Sequence, residues 1–212
     1  VGSEMCIRDS LTTGSAIYFM KHVLGNGSLL GLFSMMKMFP VIIALIFTPI
    51  LVKKTGSMQK VNFWGYVISD ILGIFLIIFA MQKNLPMMLL FMFLKGTFAG
   101  TMSGTLNALI AEISGYTYRT KGVHIDGMMF SCSSLGVKVG GGIGTAAVGW
   151  LLHAAGYAGK AATQTAAATN MIFSMYITIP VILGVVITIL LGLMKVEKEN
   201  KRIDMERAEK AD

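Results

Sequence analysis

Charge is scarce in this chain: 14% of its 212 residues are Asp, Glu, Lys or Arg, against about a quarter in an ordinary soluble domain. Cysteine is nearly absent. Cys6 and Cys132 are the two present, one near the start and one inside an apolar run, so no disulfide framework is implied. The three histidines, His22, His124 and His153, are far apart. No G-x-S-x-G, H-E-x-x-H, Walker A or Cys/His cluster occurs, so the sequence reads as no enzyme, with no metal set and no cofactor. Gly142-Ile-Gly144-Thr-Ala-Ala147 does spell G-x-G-x-x-A. The dinucleotide fingerprint needs a preceding strand in a βαβ unit, and this string lies deep in an apolar run.

What is abundant is apolar sequence, 54% of the chain, with a mean hydropathy of +0.69. That composition excludes disorder, which goes with few apolar residues. Five runs of 22 to 29 residues carry one charge or none: 29–52, 61–82, 85–111, 127–155 and 171–194. About 20 helical residues cross about 30 Å of hydrocarbon, so each reads as a membrane span. A sixth stretch, 11–24, is too short to cross alone and reads as part of a span. Gly25-Asn26-Gly27-Ser28 follows it as a tight turn. Residues 1–10 lack an apolar segment and carry three charges. They resemble a translated sequencing-adapter read-through and are set aside as a non-native leader. The tail, 195–212, has six basic and six acidic residues and is expected to be a solvated, helical or frayed end.

Basic residues give an orientation. Loops 53–60 and 112–126 and the tail hold eleven Lys and Arg, while loops 83–84 and 156–170 hold two, Lys83 and Lys160. Such a bias places the richer side, tail included, in the cytoplasm of a cell membrane. It also excludes nucleic acid as the reason for the net charge of +7, because the basic residues flank spans instead of lining a groove.

The runs carry four isolated charges: Lys37, Asp70, Lys95 and Lys138. Lys138 lies 11 residues into its span, about 16 Å deep, and Lys95 about 15 Å. A charge at that depth costs at least ~2.5 kcal/mol and usually lines a wet cavity or meets an opposite charge. Three lysines face one carboxylate, so the surplus calls for carboxylates elsewhere or an anionic substrate. Lys37, Asp70 and Lys95 form a possible intramembrane charge network. Gly96, Gly100 and Gly104, and Gly136, Gly140 and Gly144, recur every fourth residue, the spacing that lets membrane helices pack backbone to backbone.

The stretch from Ala111-Glu112 through Tyr116, Arg119, Lys121-Gly122, His124, Asp126-Gly127, Phe130-Ser131 and Lys138 to Gly149-Trp150 and Gly156-Tyr157, together with Tyr18–Asn26 and Leu51–Gly56, resembles the glycoside–pentoside–hexuronide:cation symporters. These are melibiose permease-like members of the major facilitator superfamily. Glu112, Gly115, His124 and Asp126 depart from the family's usual Asp, Asp, Arg and Glu. The resemblance implies an all-α integral membrane fold: the C-terminal six-helix half of such a transporter, its first helix truncated. It implies sugar or glycoside substrate, membrane lipid and the missing N-terminal half of the same chain as partners. A coupling cation, Na⁺ or H⁺, is expected, with ligands mostly in that other half and no metal site in this one. It places Lys138, Ser134, Ser133 and Val137 on the substrate and cation cavity. It makes Glu112, Arg119, Lys121, His124 and Asp126 a cytoplasmic gating loop. The alternatives are a carrier of another solute, such as an organic anion, and a small oligomeric membrane scaffold.

Overall fold

In a computed structural model, which describes residues 2–159, 161 and 163–209, the chain is helical almost throughout. The elements are α1 (Gly2–Tyr18), α2 (Leu29–Thr55), α3 (Met58–Met81), α4 (Leu85–Ala99), α5 (Thr101–Lys121), α6 (Asp126–Ala154), α7 (Ala166–Phe173), α8 (Ile179–Leu193) and α9 (Val196–Glu209). Lys160 and Lys210, both used in the charge count, lie outside the described residues. Short wide turns of π type, Phe19–Val23 and Ser174–Thr178, extend α1 and join α7 to α8. Five stretches are long and apolar enough to cross a membrane: Leu29–Thr55, Met58–Met81, Leu85–Lys121, Asp126–Ala154 and Ala166–Glu206. Much of their apolar surface faces outward; Met38, Ile46 and Trp150 are exposed, as lipid-facing or partner-facing positions are.

Local sequence sets most boundaries. Gly56 ends α2 with φ of 65°, its N–H reaching the carbonyl of Val52 at 2.8 Å. Gly122 ends α5 in the same way, with φ of 70° and a 2.9 Å bond to Tyr118. Glycine takes this left-handed cap without a Cβ penalty. The Ser57 hydroxyl accepts the Lys60 N–H at the start of α3, and Thr165 accepts the Ala168 N–H at the start of α7.

Three boundaries differ from the sequence expectation. The segment 1–10, set aside in the sequence reading as a non-native leader, is helical from Gly2 and continuous with Leu11. Its packing explains this, because the backbone at Ser3 and Ile7 lies against Gly140 and Gly144 of α6. Second, the helix predicted to end at Ala111 continues to Lys121, interrupted only at Gly100. Leu85–Lys121 has 37 residues, about 55 Å, so its last turns stand clear of the hydrocarbon. The linker is then only Gly122–Ile125. Third, the tail is a helix docked on the bundle.

Glycine seams hold the helices together. A Cβ on Gly96, Gly100 or Gly104 would meet Pro40 at 3.0 Å, Ala44 at 2.7 Å or Leu45 at 3.1 Å, so α4 and α5 lie backbone-close to α2. A Cβ on Gly140 or Gly144 would meet the carbonyl oxygens of Ser3 and Ile7, each at 2.7 Å, on α1. Gly136 has open space beside it and takes no part in that seam. The core between the two wide turns contains Phe19 stacked on Tyr176 at 4.5 Å, with Phe33 beside them. A second core, of Tyr66, Met102, Leu109, Ile187 and Leu191, lies nearer the tail.

Candidate functional site

The intramembrane charges fall into two separate places. Lys95 and Lys37 line one small cavity of about 110 Å³ with Thr12, Phe33 and Tyr176, and Arg8 and Asp9 of α1 close it. The Lys37 ammonium donates to the Thr13 hydroxyl at 2.9 Å. Asp70, on α3, is buried against α8, where the Thr188 hydroxyl donates to its carboxylate at 2.6 Å. Gly184 on α8 makes room for that carboxylate. Lys95 reaches toward α3 one turn farther along, its ammonium 3.4 Å from where a Cβ on Gly73 would be. So the three members of the suggested network are adjacent, but Asp70 and Lys95 make no direct ion pair. Asp70 is bonded to Thr188, a partner that charge counting misses because a threonine in an apolar run carries no visible signal. Arg8 and Asp9 belong to the segment that the sequence marks as a leader, so nothing in the sequence points to their place at this cavity.

Lys138 lies elsewhere. It projects from the outer face of α6, where Phe130, Ser131, Ser134 and Leu135 form an open hollow with it. Ser134 and Lys138, four residues apart, share one face. Val137 is exposed and Ser133 half-buried, both outside this hollow. Among the described residues Lys138 makes no ion pair. The polar stripe on α6 thus points away from the α1 seam, into space that none of the described residues fills.

The five residues assigned to a gating loop are spread over two helix ends and a four-residue link. The Asn200 side chain donates to the Glu112 carboxylate at 2.8 Å and to its backbone carbonyl at 3.0 Å. Arg119 pairs with Asp204 at 3.1 Å. The His124 ring stacks on Tyr118 at 4.0 Å and lies 3.7 Å from Asp126. Lys121 is exposed. Two of the five therefore bind the tail helix.

That helix also reaches α3. The Glu197 carboxylate accepts the Ser57 hydroxyl and the Gln59 backbone N–H, both at 2.9 Å. Lys201 pairs with Glu197 at 3.0 Å and donates to the Gly56 carbonyl. Burial pushes the Glu197 carboxyl up, but the bonds from Gln59, Lys201 and Ser57 outweigh it and leave the group below its ordinary value. The solvated tail of the sequence reading is therefore a brace across the starts and ends of α3 and α5. Its signal was Glu197, Asn200 and Asp204 at i, i+3 and i+7, one face of a helix.

Long apolar helices in a close-packed bundle, with isolated charges and hydroxyls set at membrane depth, define a multi-pass membrane protein. A family model described as MFS/sugar transport protein matches residues 7–198, and the chain belongs to that family, whose members are transporters and not enzymes. It is 27% identical over 182 residues to the isoprimeverose transporter of Lactiplantibacillus pentosus, covering 86% of this chain and 37% of that protein. It is 24% identical over 183 residues, 86% of this chain and 39% of the other, to YagG of Escherichia coli (strain K12), provisionally named a glycoside/cation symporter. An uncharacterized 29.9 kDa protein from the crtE 3′ region of Pseudescherichia vulneris is 26% identical over 174 residues, 81% of this chain and 62% of that one. The chain therefore spans less than two thirds of the length of each relative. No solved structure matches it.

Proposed function

We propose that this chain is the C-terminal half of a cation-coupled symporter for a glycoside, pentoside or hexuronide, working by alternating access. Cation and sugar would bind near the bilayer midplane between two bundles that rock about the site. Each ligand would raise the other's affinity by the same factor. The observation that carries the reading is Lys138 with Ser131 and Ser134: a cation and two hydroxyls on an exposed face of a membrane helix, with no counter-ion among the described residues. An ammonium at that depth needs a wet cavity or a carboxylate opposite it. A second bundle facing α6 would supply both. The names of the isoprimeverose transporter and of YagG support a sugar and a cation as the solutes. The excess of Lys37, Lys95 and Arg8 over Asp9 around the inner cavity favours a substrate carrying a carboxylate, such as a hexuronide. In this reading the tail faces the cytoplasm.

The test is solute uptake by the protein encoded by the whole reading frame, in vesicles with an imposed Na⁺ or H⁺ gradient, per molecule in the membrane. Lys138→Ala is expected to cut gradient-driven uptake at least tenfold, because removing one partner of a buried pair leaves the other charge uncompensated. Lys138→Arg should rescue it poorly, since a planar fork does not replace a compact ammonium. Normal coupled uptake by Lys138→Ala would overturn the role of Lys138. Absence of uptake of any glycoside, pentoside or hexuronide would overturn the substrate class.

A further inference from the structure

A second cavity, unconnected with the transport reading, opens where the tail helix meets the bundle. It holds about 570 Å³. Its floor is apolar: Phe63 of α3, Leu191 and Gly192 of α8, and Met194. The Phe63 ring lies over Gly192, 3.1 Å from where a Cβ would be, so a larger residue at 192 would close the space. Its rim is basic: Lys60, Lys195, Lys198 and Lys201. One carboxylate, Glu197, belongs to this wall, and it is already committed to Ser57, Gln59 and Lys201. Among the described residues Lys60, Lys195 and Lys198 have no acidic partner. Gln59 fixes the floor by donating its side-chain amide to the Leu191 carbonyl at 2.9 Å and to that of Met194.

The level of the cavity is set by the chain around it. The apolar helix α8 stops at Leu193 and α3 starts at Met58, so this is the membrane boundary. Trp64, beside Phe63 and exposed, is the residue type that collects at that level. A cationic rim above an apolar floor, at the height of lipid headgroups, complements a molecule with a negative head and a hydrocarbon body. Basic pockets between helix ends bind acidic lipid headgroups on these grounds.

We propose that this cavity is a binding site for an anionic phospholipid. Its phosphodiester would be held by Lys60, Lys195 and Lys198, and the start of an acyl chain would lie over Phe63 and Gly192. The bound lipid would close the joint between α8 and α9.

The experiment counts lipids retained by the purified protein encoded by the whole reading frame with native mass spectrometry, after exchange into phosphatidylglycerol or phosphatidylcholine. Phosphatidylglycerol should be retained preferentially. Each lysine near an acidic membrane surface is worth about 1 kcal/mol, or about fivefold. The triple variant Lys60→Gln, Lys195→Gln, Lys198→Gln should therefore weaken retention on the order of a hundredfold. A control triple, Lys53→Gln, Lys54→Gln, Lys121→Gln, removes equal charge from exposed positions outside the cavity and should retain the lipid. Gly192→Leu, which fills the floor and keeps every charge, should also lose it. Inorganic phosphate in large excess should not displace it. Equal retention by both triples, equal loss by both, or displacement by inorganic phosphate would each overturn the proposal.

Discussion

Thr188 gives Asp70 its hydroxyl at 2.6 Å, in a partly buried bond between α3 and α8. Hydrogen bonds to charged groups are worth about 1.5–3 kcal/mol in proteins, and interhelical bonds in membranes average nearer 0.6 kcal/mol. Because Asp70 is buried and Lys95 is not within ion-pair reach, the value here belongs between those two figures. Thr188→Val is expected to destabilise the chain by about 1–2 kcal/mol, read as a lower thermal midpoint in detergent. Thr188→Ser, which keeps the hydroxyl, should stay near wild type; a Thr188→Val midpoint equal to wild type would show that the bond contributes nothing. At this scale the sequence disclosed charges but not their partners. Lys37, Asp70, Lys95 and Lys138 stand out of apolar runs at a glance. That Asp70 answers to a threonine 118 residues away, and that Lys138 has no ion-pair partner among the described residues, depends on which helices are neighbours.

Helix packing carries the next prediction. A Cβ on Gly100 would come within 2.7 Å of the Ala44 methyl and 3.3 Å of the Val41 Cα. Gly100→Ala forces α5 off α2 and is expected to cost about 1–3 kcal/mol, the usual range for overpacking. Gly136→Ala adds the same methyl to open space and should be neutral or slightly stabilising; unfolding midpoints of the two variants compare them directly. The four-residue glycine spacing was visible in both helices, but it could not show that the repeat on α6 is used only at its second and third positions. The tail carries a prediction in pH. The Glu197 pKa is lower in the docked state than in a free chain. Its contribution is therefore complete above the free-glutamate value of about 4.3. It is lost as pH falls below that toward the lowered folded value. Amide protection in Val196–Glu209, taken against the intrinsic exchange rate at each pH, should hold near neutrality and fall under acid, and Glu197→Gln should show weak protection already at pH 7. The docking was hard to read from composition, because equal numbers of acids and bases look like a solvated end. The positions of the acids, not their number, held the information.

For the molecule as a whole, the tail touches the end of α2, the start of α3 and the end of α5. The basic loops 53–60 and 112–126 thus lie at one end of the bundle, with Lys83 at the other. Single cysteines at Lys60 and Lys83 should differ in reaction with a membrane-impermeant thiol reagent in intact cells. Reaction at Lys83 alone is expected; reaction at Lys60 alone would invert the orientation. Span count and helical class were legible because hydrocarbon thickness translates directly into run length. Helix extensions past the membrane were not, since Glu112–Lys121 is polar enough to pass for a loop. The wide turn at Phe19–Val23 has a consequence for how such a chain can vary. A turn closed by i→i+5 bonds holds about one residue more than an α-helical turn. Deleting one residue there would restore an ordinary helix and leave Ser3 and Ile7 facing Gly140 and Gly144. Elsewhere in α1 each residue added or removed turns the helix by about 100° and would carry those contacts off the glycine seam. The wide turn is therefore the one stretch of the first helix where a residue can be lost without misphasing the bundle.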